Sequence, residues 1–275
     1  MGKTKMKILL LDPEESESDS KNKISKISSL IKQLRHEVVE YKANKAFYEK
    51  VISEKPDVVF NLASIYGLGN SNLIPAILEI ADVRYTGSGL LGLSLARSYT
   101  KLFTLLLQSG IPLVPFIISK VKVSIGDNHL RYPLRLFRDG CCQNTVVSNN
   151  LELKRALKSI PQQENIVLQE YSPNSIKNIY LCNYWIFPAN TESRFINLAR
   201  EVYRLIEARG IVRFDFRDSY RAALTGIEIS PDPLGKQLLE KARLSGWDEK
   251  RIIQLMIDQA GRDRDIAMPY KEMNL

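Results

Sequence analysis

The 275-residue sequence predicts an α/β protein, with a parallel-sheet lobe first and α+β lobes after it. Three observations carry this. Up to residue 63, short apolar runs alternate with amphipathic stretches in strand-helix-strand-helix-strand order, the pattern of right-handed parallel crossovers. Beyond Gly110 and Pro112, strand-like runs recur with few helices between them. Near the C-terminus two apolar runs, IVRFDFR (211–217) and ALTGIEIS (223–230), flank a polar stretch, Asp218 to Arg221, and read as a hairpin.

MKILLLD (6–12) is an apolar run ending in a turn, a first strand. Residues 18–35 carry Ile24, Ile27, Leu30, Ile31 and Leu34 at helical spacing. HEVVEYK (36–42) is a second strand, 44–53 a short helix and PDVVFNLA (56–63) a third strand. In such a sheet ligands sit at the carboxyl ends of the strands, here near Asp12 and Asn61 to Ser64. A glycine-rich loop YGLGNSN (66–72), a helix at 73–81, a strand near Arg84–Tyr85 and a Gly-Ser-Gly turn (87–89) follow. One long helix is expected over 91–109, ending at Gly110 with Pro112 beyond. Strands are expected at 116–123, 132–137, 166–171 and 178–187 and a helix at 150–158. A helix at 191–209 leads to the hairpin, and amphipathic helices at 235–244 and 248–260 close the chain.

Composition excludes several classes. No apolar run approaches the roughly 20 residues that span a bilayer, and the basic, briefly apolar start meets acidic residues at once, so it reads as a strand rather than a signal peptide. A cytoplasmic protein is expected. Three cysteines, with Cys141 and Cys142 adjacent, make no disulfide framework. His36 and His129 are the only histidines, both in polar stretches that read as exposed, so zinc sites and a Ser-His-Asp triad lack material. The net charge of +8 is scattered, with no basic stripe interleaved with aromatics. That argues against nucleic acid as the main partner and suits a polyanionic nucleotide.

The hairpin carries the chemistry. Side chains alternate along a strand, so Arg213, Asp215 and Arg217 share one face, as do Gly226, Glu228 and Ser230. Val212, Phe214, Phe216, Ile227 and Ile229 point to the other, into a core. Pairing Asp215 with Glu228 sets Arg213 opposite Ser230. Adjacent carboxylates repel unless a cation lies between them, and Mg²⁺ carrying a nucleotide phosphate fits. Two solvated charges on an exposed face is the alternative.

The run 56–116 contains VFNL, PAILE, YTGS, ARSYTKLFTL and GIPLVP in order. Together with VRFDFR…GIEISPDPLG (212–235), it resembles the D-alanine–D-alanine ligase family of ATP-grasp enzymes, in a divergent and shortened form. The resemblance implies a Rossmann-like first lobe (1–90), a central ATP-grasp lobe (91–188) and a C-terminal ATP-grasp lobe with the metal hairpin (189–275). It implies ATP and Mg²⁺ (or Mn²⁺) as cofactors, a small amino-acid or peptide carboxylate as substrate, and dimerisation through the first lobe. The implied reaction is carboxylate–amine ligation through an acylphosphate. A relative that binds nucleotide or a partner without turnover is the alternative.

Residue by residue, Asp215 and Glu228 match the family's metal carboxylates, Ser230 stands for the usual asparagine ligand, and Arg213 matches the catalytic arginine. Arg97 replaces a phosphate lysine, beside Ala96 in place of aspartate. The strand lysine falls on Arg135 or Phe137, depending on the direction of counting. DGCCQN (139–144) stands for the phosphate-covering loop, with Gly140 keeping the turn and Cys141 and Cys142 offering backbone N–H groups to phosphate in place of serine hydroxyls. Gln169, Glu170 and Tyr171 fall on the adenine linker, while the ribose glutamate is replaced by Ile176. Glu14, Glu15 and Glu17 are candidates for holding an amino-acid substrate, Ala63-Ser64-Ile65 lacks the expected histidine or glutamate, and a lid of roughly thirty residues is missing between Asn183 and Thr191.

Overall fold

A computed structural model describes residues 5–14, 18–66, 73–120, 129–139, 144–218 and 222–260. The first lobe holds β1 (Lys7–Asp12), α1 (Ser18–Gln33), β2 (Glu37–Lys42), α2 (Phe47–Glu54), β3 (Val58–Asn61), α3 (Ala63–Tyr66) and α4 (Leu73–Ile80). Its sheet is parallel, in the order β2-β1-β3. Ile8, Leu9, Leu10 and Leu11 of the central strand are all fully buried because helices cover both faces. Ile8 and Leu10 pack toward α1, and Leu9 and Leu11 toward α2 and α4. The strand expected near Tyr85 is a single parallel bridge to Val59.

The helix expected over 91–109 is two helices, α5 (Leu90–Arg97) and α6 (Tyr99–Gln108), bent by 106°. The break has a cause distant in sequence. Asp139 accepts hydrogen bonds from the Thr100 backbone N–H (3.0 Å), the Thr100 hydroxyl and the Ser98 hydroxyl, capping α6 at its start. Among the described residues no single helix is long and apolar enough to cross a membrane.

The central sheet is antiparallel, in the order β4-β7-β5-β6, from β4 (Phe116–Lys120), β5 (Leu134–Arg138), β6 (Thr145–Val147) and β7 (Asn165–Glu170). Strand β6 was not anticipated. Helix α7 (Asn150–Lys158) covers one face through Leu153 against Leu134, Leu136, Ile166 and Leu168. The expected strand 178–187 is a hairpin, β8 (Ile176–Cys182) and β9 (Trp185–Phe187), turning at Asn183 and Tyr184 with Asn183 at φ 53°. It does not extend the central sheet. It pairs with β10 (Val212–Arg217), which pairs with β11 (Ala223–Ile229), giving the order β11-β10-β8-β9.

Behind this last sheet, Val212, Phe214, Phe216 and Ile229 bury against α5, α6 and α8 (Ser193–Leu205), as the alternation anticipates. Helices α9 (Lys236–Arg243) and α10 (Glu249–Gln259) close the fold. Helix α10 shares a core with α1 and β1, so the C-terminal helices and the first lobe bury one another. His36 is 5 % exposed, contrary to the surface position expected, and its Nδ1 accepts the Met6 N–H at 3.2 Å. His129 is exposed.

Candidate functional site between the two antiparallel sheets

The two antiparallel sheets meet where Leu113 bridges Leu224, with Leu224 N–H donating to the Pro112 carbonyl at 2.8 Å. Beyond that seam the charged face of the hairpin confronts the cleft face of β5 and β7. The hairpin register differs from the one expected. Arg213 pairs with Glu228, and Asp215 pairs with Gly226. A bulge between Asp215 and Phe216 then inserts Thr225, whose hydroxyl donates to the Asp215 carbonyl at 2.9 Å. Relative to the expected pairing the register is displaced by two residues, which sets an arginine, not an aspartate, opposite Glu228.

Arg213 is consequently the cation between the carboxylates. Its Nε and Nη2 hold Asp215 at 3.0 and 3.1 Å, a bidentate pair, and its Nη1 lies 2.6 Å from Glu228. Asn178 of β8, directly opposite Asp215, donates to its Oδ1 at 2.6 Å. Tyr180, opposite Arg213 and 2 % exposed, hydrogen-bonds the guanidinium. Burial pushes the Tyr180 phenol up to about 12. Burial also raises the Glu228 carboxyl, against the pull of Arg213 and with added repulsion from Asp215. Burial opposes charge on Arg213, but the two carboxylates more than offset it and raise its pKa. Sequence reasoning missed Asn178 and Tyr180. The alternation of 176–182, which puts Asn178, Tyr180 and Cys182 on one face, was the available signal.

Ser230 has a left-handed backbone (φ 59°), and its hydroxyl accepts the Ser88 N–H at 3.3 Å. The loop that meets it is held by a close backbone approach. A Cβ on Gly210 (φ 65°) would sit 3.1 Å from the Gly87 Cα, so glycine is required there.

Across the cleft, Arg135 and Phe137 share the face of β5 opposite to Leu134 and Leu136. Phe137 is 3 % exposed and packs on Phe103 and Tyr99. Arg135 instead lies over the Tyr171 ring at 4.0 Å and reaches the hairpin. A Cβ on Gly226 would sit 3.7 Å from Arg135 Nη1 and 3.4 Å from Asp215 Oδ2. Of the two residues left open by counting, Arg135 faces the carboxylates. Gln169, opposite Arg135 and Phe116, is fully buried. Glu170 lies 3.5 Å from Arg217 and accepts the Arg131 N–H at 3.1 Å. Arg97 ends α5 beside the Ser98–Asp139 contact. Gly140 and Cys141, with Cys142, lie outside the described residues, as do Glu15 and Glu17. Glu14 is exposed.

At the first-lobe end, Tyr66 donates to Asp232 at 2.5 Å and Lys23 bridges to it at 3.1 Å, joining α3 and α1 to the segment after β11. Asp12, at the carboxyl end of β1, has its buried Oδ1 unpartnered. Burial, with repulsion from Glu40, pushes its carboxyl up to about 6.

No protein-family model matches the chain. It is 21 % identical to the D-alanine–D-alanine ligase of Aquifex aeolicus, over 91 % of this chain and 99 % of that enzyme. Identity is also 21 % to the Pelagibacter ubique ligase, over 83 % and 89 % of the two chains. The D-alanine–D-alanine ligase of Bacillus anthracis complexed with ATP superposes with a TM-score of 0.75 at 15 % identity, covering 94 % of this chain and 99 % of the other. The chain shares the fold of the D-alanine–D-alanine ligases and is similar to them in sequence along most of its length, at low identity.

Among the described residues, several buried polar side-chain atoms on β5, β7 and β10 have no hydrogen-bond partner. They are the Arg135 Nε, both amide atoms of Gln169 and the Arg217 Nε. Among the described residues no group of three acidic, histidine or cysteine side chains converges. A Mg²⁺ ion here would rest on the hard oxygens of Asp215 and Glu228, with water and phosphate completing its shell.

Proposed function

We propose that this ATP-grasp protein binds Mg²⁺-ATP between its two antiparallel sheets and ligates a small carboxylate to an amine. One observation carries the reading: the Arg213–Asp215–Glu228 cluster faces Arg135 across a cleft in which the Arg135 Nε, the Arg217 Nε and the Gln169 amide lack partners. The substrate carboxylate attacks the γ-phosphorus and ADP leaves. The amine attacks the resulting acylphosphate, phosphate departs with the former carboxylate oxygen, and the nitrogen loses a proton.

The chain's residues serve that chemistry mainly by positioning and charge. Asp215 and Glu228 would hold Mg²⁺, which supplies charge neutralisation at the phosphates. Arg213 is the cation available to the phosphoryl group in transfer. Arg135 and Arg97 steady the phosphates, together with the backbone at Gly140 and Cys141. Gln169, Glu170 and Tyr171 receive the base. Lys23, Tyr66 and Asp232 at the first-lobe end, with Ala63-Ser64-Ile65 in place of histidine or glutamate, support a substrate altered from that of the named relatives.

A second reading, nucleotide binding without turnover, is favoured by two observations. Arg213 already engages both carboxylates, and the β8–β9 turn closes in two residues where the resemblance implies a lid. Isothermal titration of ATP with and without Mg²⁺ tests the common part. Micromolar binding that strengthens with Mg²⁺, and loses that gain in Glu228→Gln, is expected. Absence of binding at millimolar nucleotide contradicts both readings. ADP release across a panel of amino acids and peptides separates them, since silence with binding intact favours the second.

A further inference from the structure

We infer that a cavity where the first lobe meets the Arg209–Gly210 turn and the end of α10 is a binding site for a small monovalent anion of halide size. The inference stands apart from the nucleotide reading, since none of the residues that line this cavity has a role in it.

The cavity measures about 20 Å³, room for one water-sized group. One wall is the segment 83–87, which runs beside β3 at the edge of the parallel sheet. Arg209 with Gly210, and the C-terminal end of α10, form the others. Among the described residues no acidic side chain lines it, whereas Arg84 and Arg209 both do.

The polar side chains on its walls are left as donors. Arg84 gives its Nε to the Asp57 carbonyl at 3.1 Å, and its terminal nitrogens have no acceptor among the described residues. Arg209 Nη1 lies 3.6 Å from Glu79, which balances charge at a separation too long for a hydrogen bond. Thr86 is 2 % exposed; its hydroxyl accepts the Asn61 N–H at 3.0 Å, and its own proton has no acceptor among the described residues. The Gln259 Oε1 accepts from Asn183 at 3.1 Å, which leaves its Nε2 to donate.

Nearby acceptors are already used. The Arg84 carbonyl takes the Val59 N–H, the Arg209 carbonyl takes the Ser88 hydroxyl, and the Gly210 carbonyl takes the Tyr203 hydroxyl. A buried water needs acceptors for its protons as well as donors, so it suits these walls poorly. An anion is matched by open donors and two guanidinium groups. The volume selects within that class: a monatomic ion fits, and a phosphate or a whole carboxylate does not.

The ion would brace a junction. A Cβ on Gly210 would meet the Gly87 Cα at 3.1 Å, and the adjoining Ser88 N–H donates to the Ser230 hydroxyl just beyond β11. Occupancy therefore steadies the turn through which the first lobe supports the hairpin.

Two measurements on the full chain test the site. Crystals soaked in sodium bromide should show an anomalous bromine peak in the cavity, between Arg84 and Arg209. In solution, the native protein should melt roughly 2–4 °C higher in sodium chloride than in sodium gluconate at equal ionic strength. Acetate, too large for the cavity, should match gluconate. Arg84→Gln, at an exposed position that leaves the fold intact, should lose more than half of the chloride effect, and Arg84→Gln with Arg209→Gln should lose all of it. No bromine in the cavity, equal melting of the native chain in chloride and gluconate, or a chloride effect unchanged in Arg84→Gln overturns the inference. Acetate acting as strongly as chloride overturns the halide assignment. ATP binding enters none of these readings, so the nucleotide proposal is judged separately.

Discussion

The two ends of the cleft are built on opposite principles. At the hairpin end the charges are matched within the chain: Arg213 spans Asp215 and Glu228, and Asn178 takes a further lone pair of Asp215. At the linker end polar atoms are buried and left open, on Gln169, Arg135 and Arg217. A saturated cluster holds the fold together and must exchange partners to admit a ligand. An open cluster costs stability until a ligand arrives. The protein therefore has its structural electrostatics where the metal is expected and its unmet hydrogen bonds where the base is expected.

Substitutions at the two ends should have opposite signs. Arg213→Ala has the largest effect, a loss of about 2–3 kcal/mol in urea unfolding. It strands two carboxylates, one of them 8 % exposed, while the openness of Glu228 softens the cost. Added Mg²⁺ should raise the melting temperature of this variant more than that of the native chain, because the carboxylates are then free of their arginine. Equal shifts in the two proteins would show that the carboxylates do not take the ion.

Gln169→Met, at the open end, should instead stabilise the ligand-free protein by about 1 kcal/mol, since an apolar chain of similar length removes two unpaired groups. Destabilisation would mean that the amide has partners in solution and that the contrast between the ends is false.

Asp12→Asn is the smallest effect and depends on pH. The folded-state value of about 6 lies above the ordinary 3.8, so the folded protein holds this proton more tightly than the unfolded chain. Stability from this group is therefore lost as pH rises from about 4 to about 6. Asp12→Asn should be more stable than the native chain by roughly 1 kcal/mol at pH 8, with the advantage gone below pH 4. A pH-independent difference in unfolding midpoint would remove burial of the charge as the cause.

The fold was largely legible because its signals are local. The apolar runs of β1 and β3, the spacing in α1 and the hairpin alternation each reflect a face that must be buried. What escaped sequence reading depends on distant partners. The break at Ser98 needs Asp139, the burial of His36 needs the Met6 N–H, and the hairpin register turns on a bulge that places Thr225 against the Asp215 carbonyl. Arg135 could not be told from Phe137 by counting along β5, because both point into the same face. Asn178 and Tyr180 were hidden when β8 and β9 were read as one strand. The Asn183-Tyr184 pair, with asparagine able to take φ 53°, was the overlooked turn signal.

The most direct test of the account is a crystal structure with Mg²⁺ and a non-hydrolysable ATP analogue. The account predicts the metal on Asp215 and Glu228, Arg213 moved off at least one of them toward the phosphates, and the nucleotide between the two antiparallel sheets. Arg213 still bidentate on Asp215 with no metal beside it, or a nucleotide bound away from the two sheets, would contradict it.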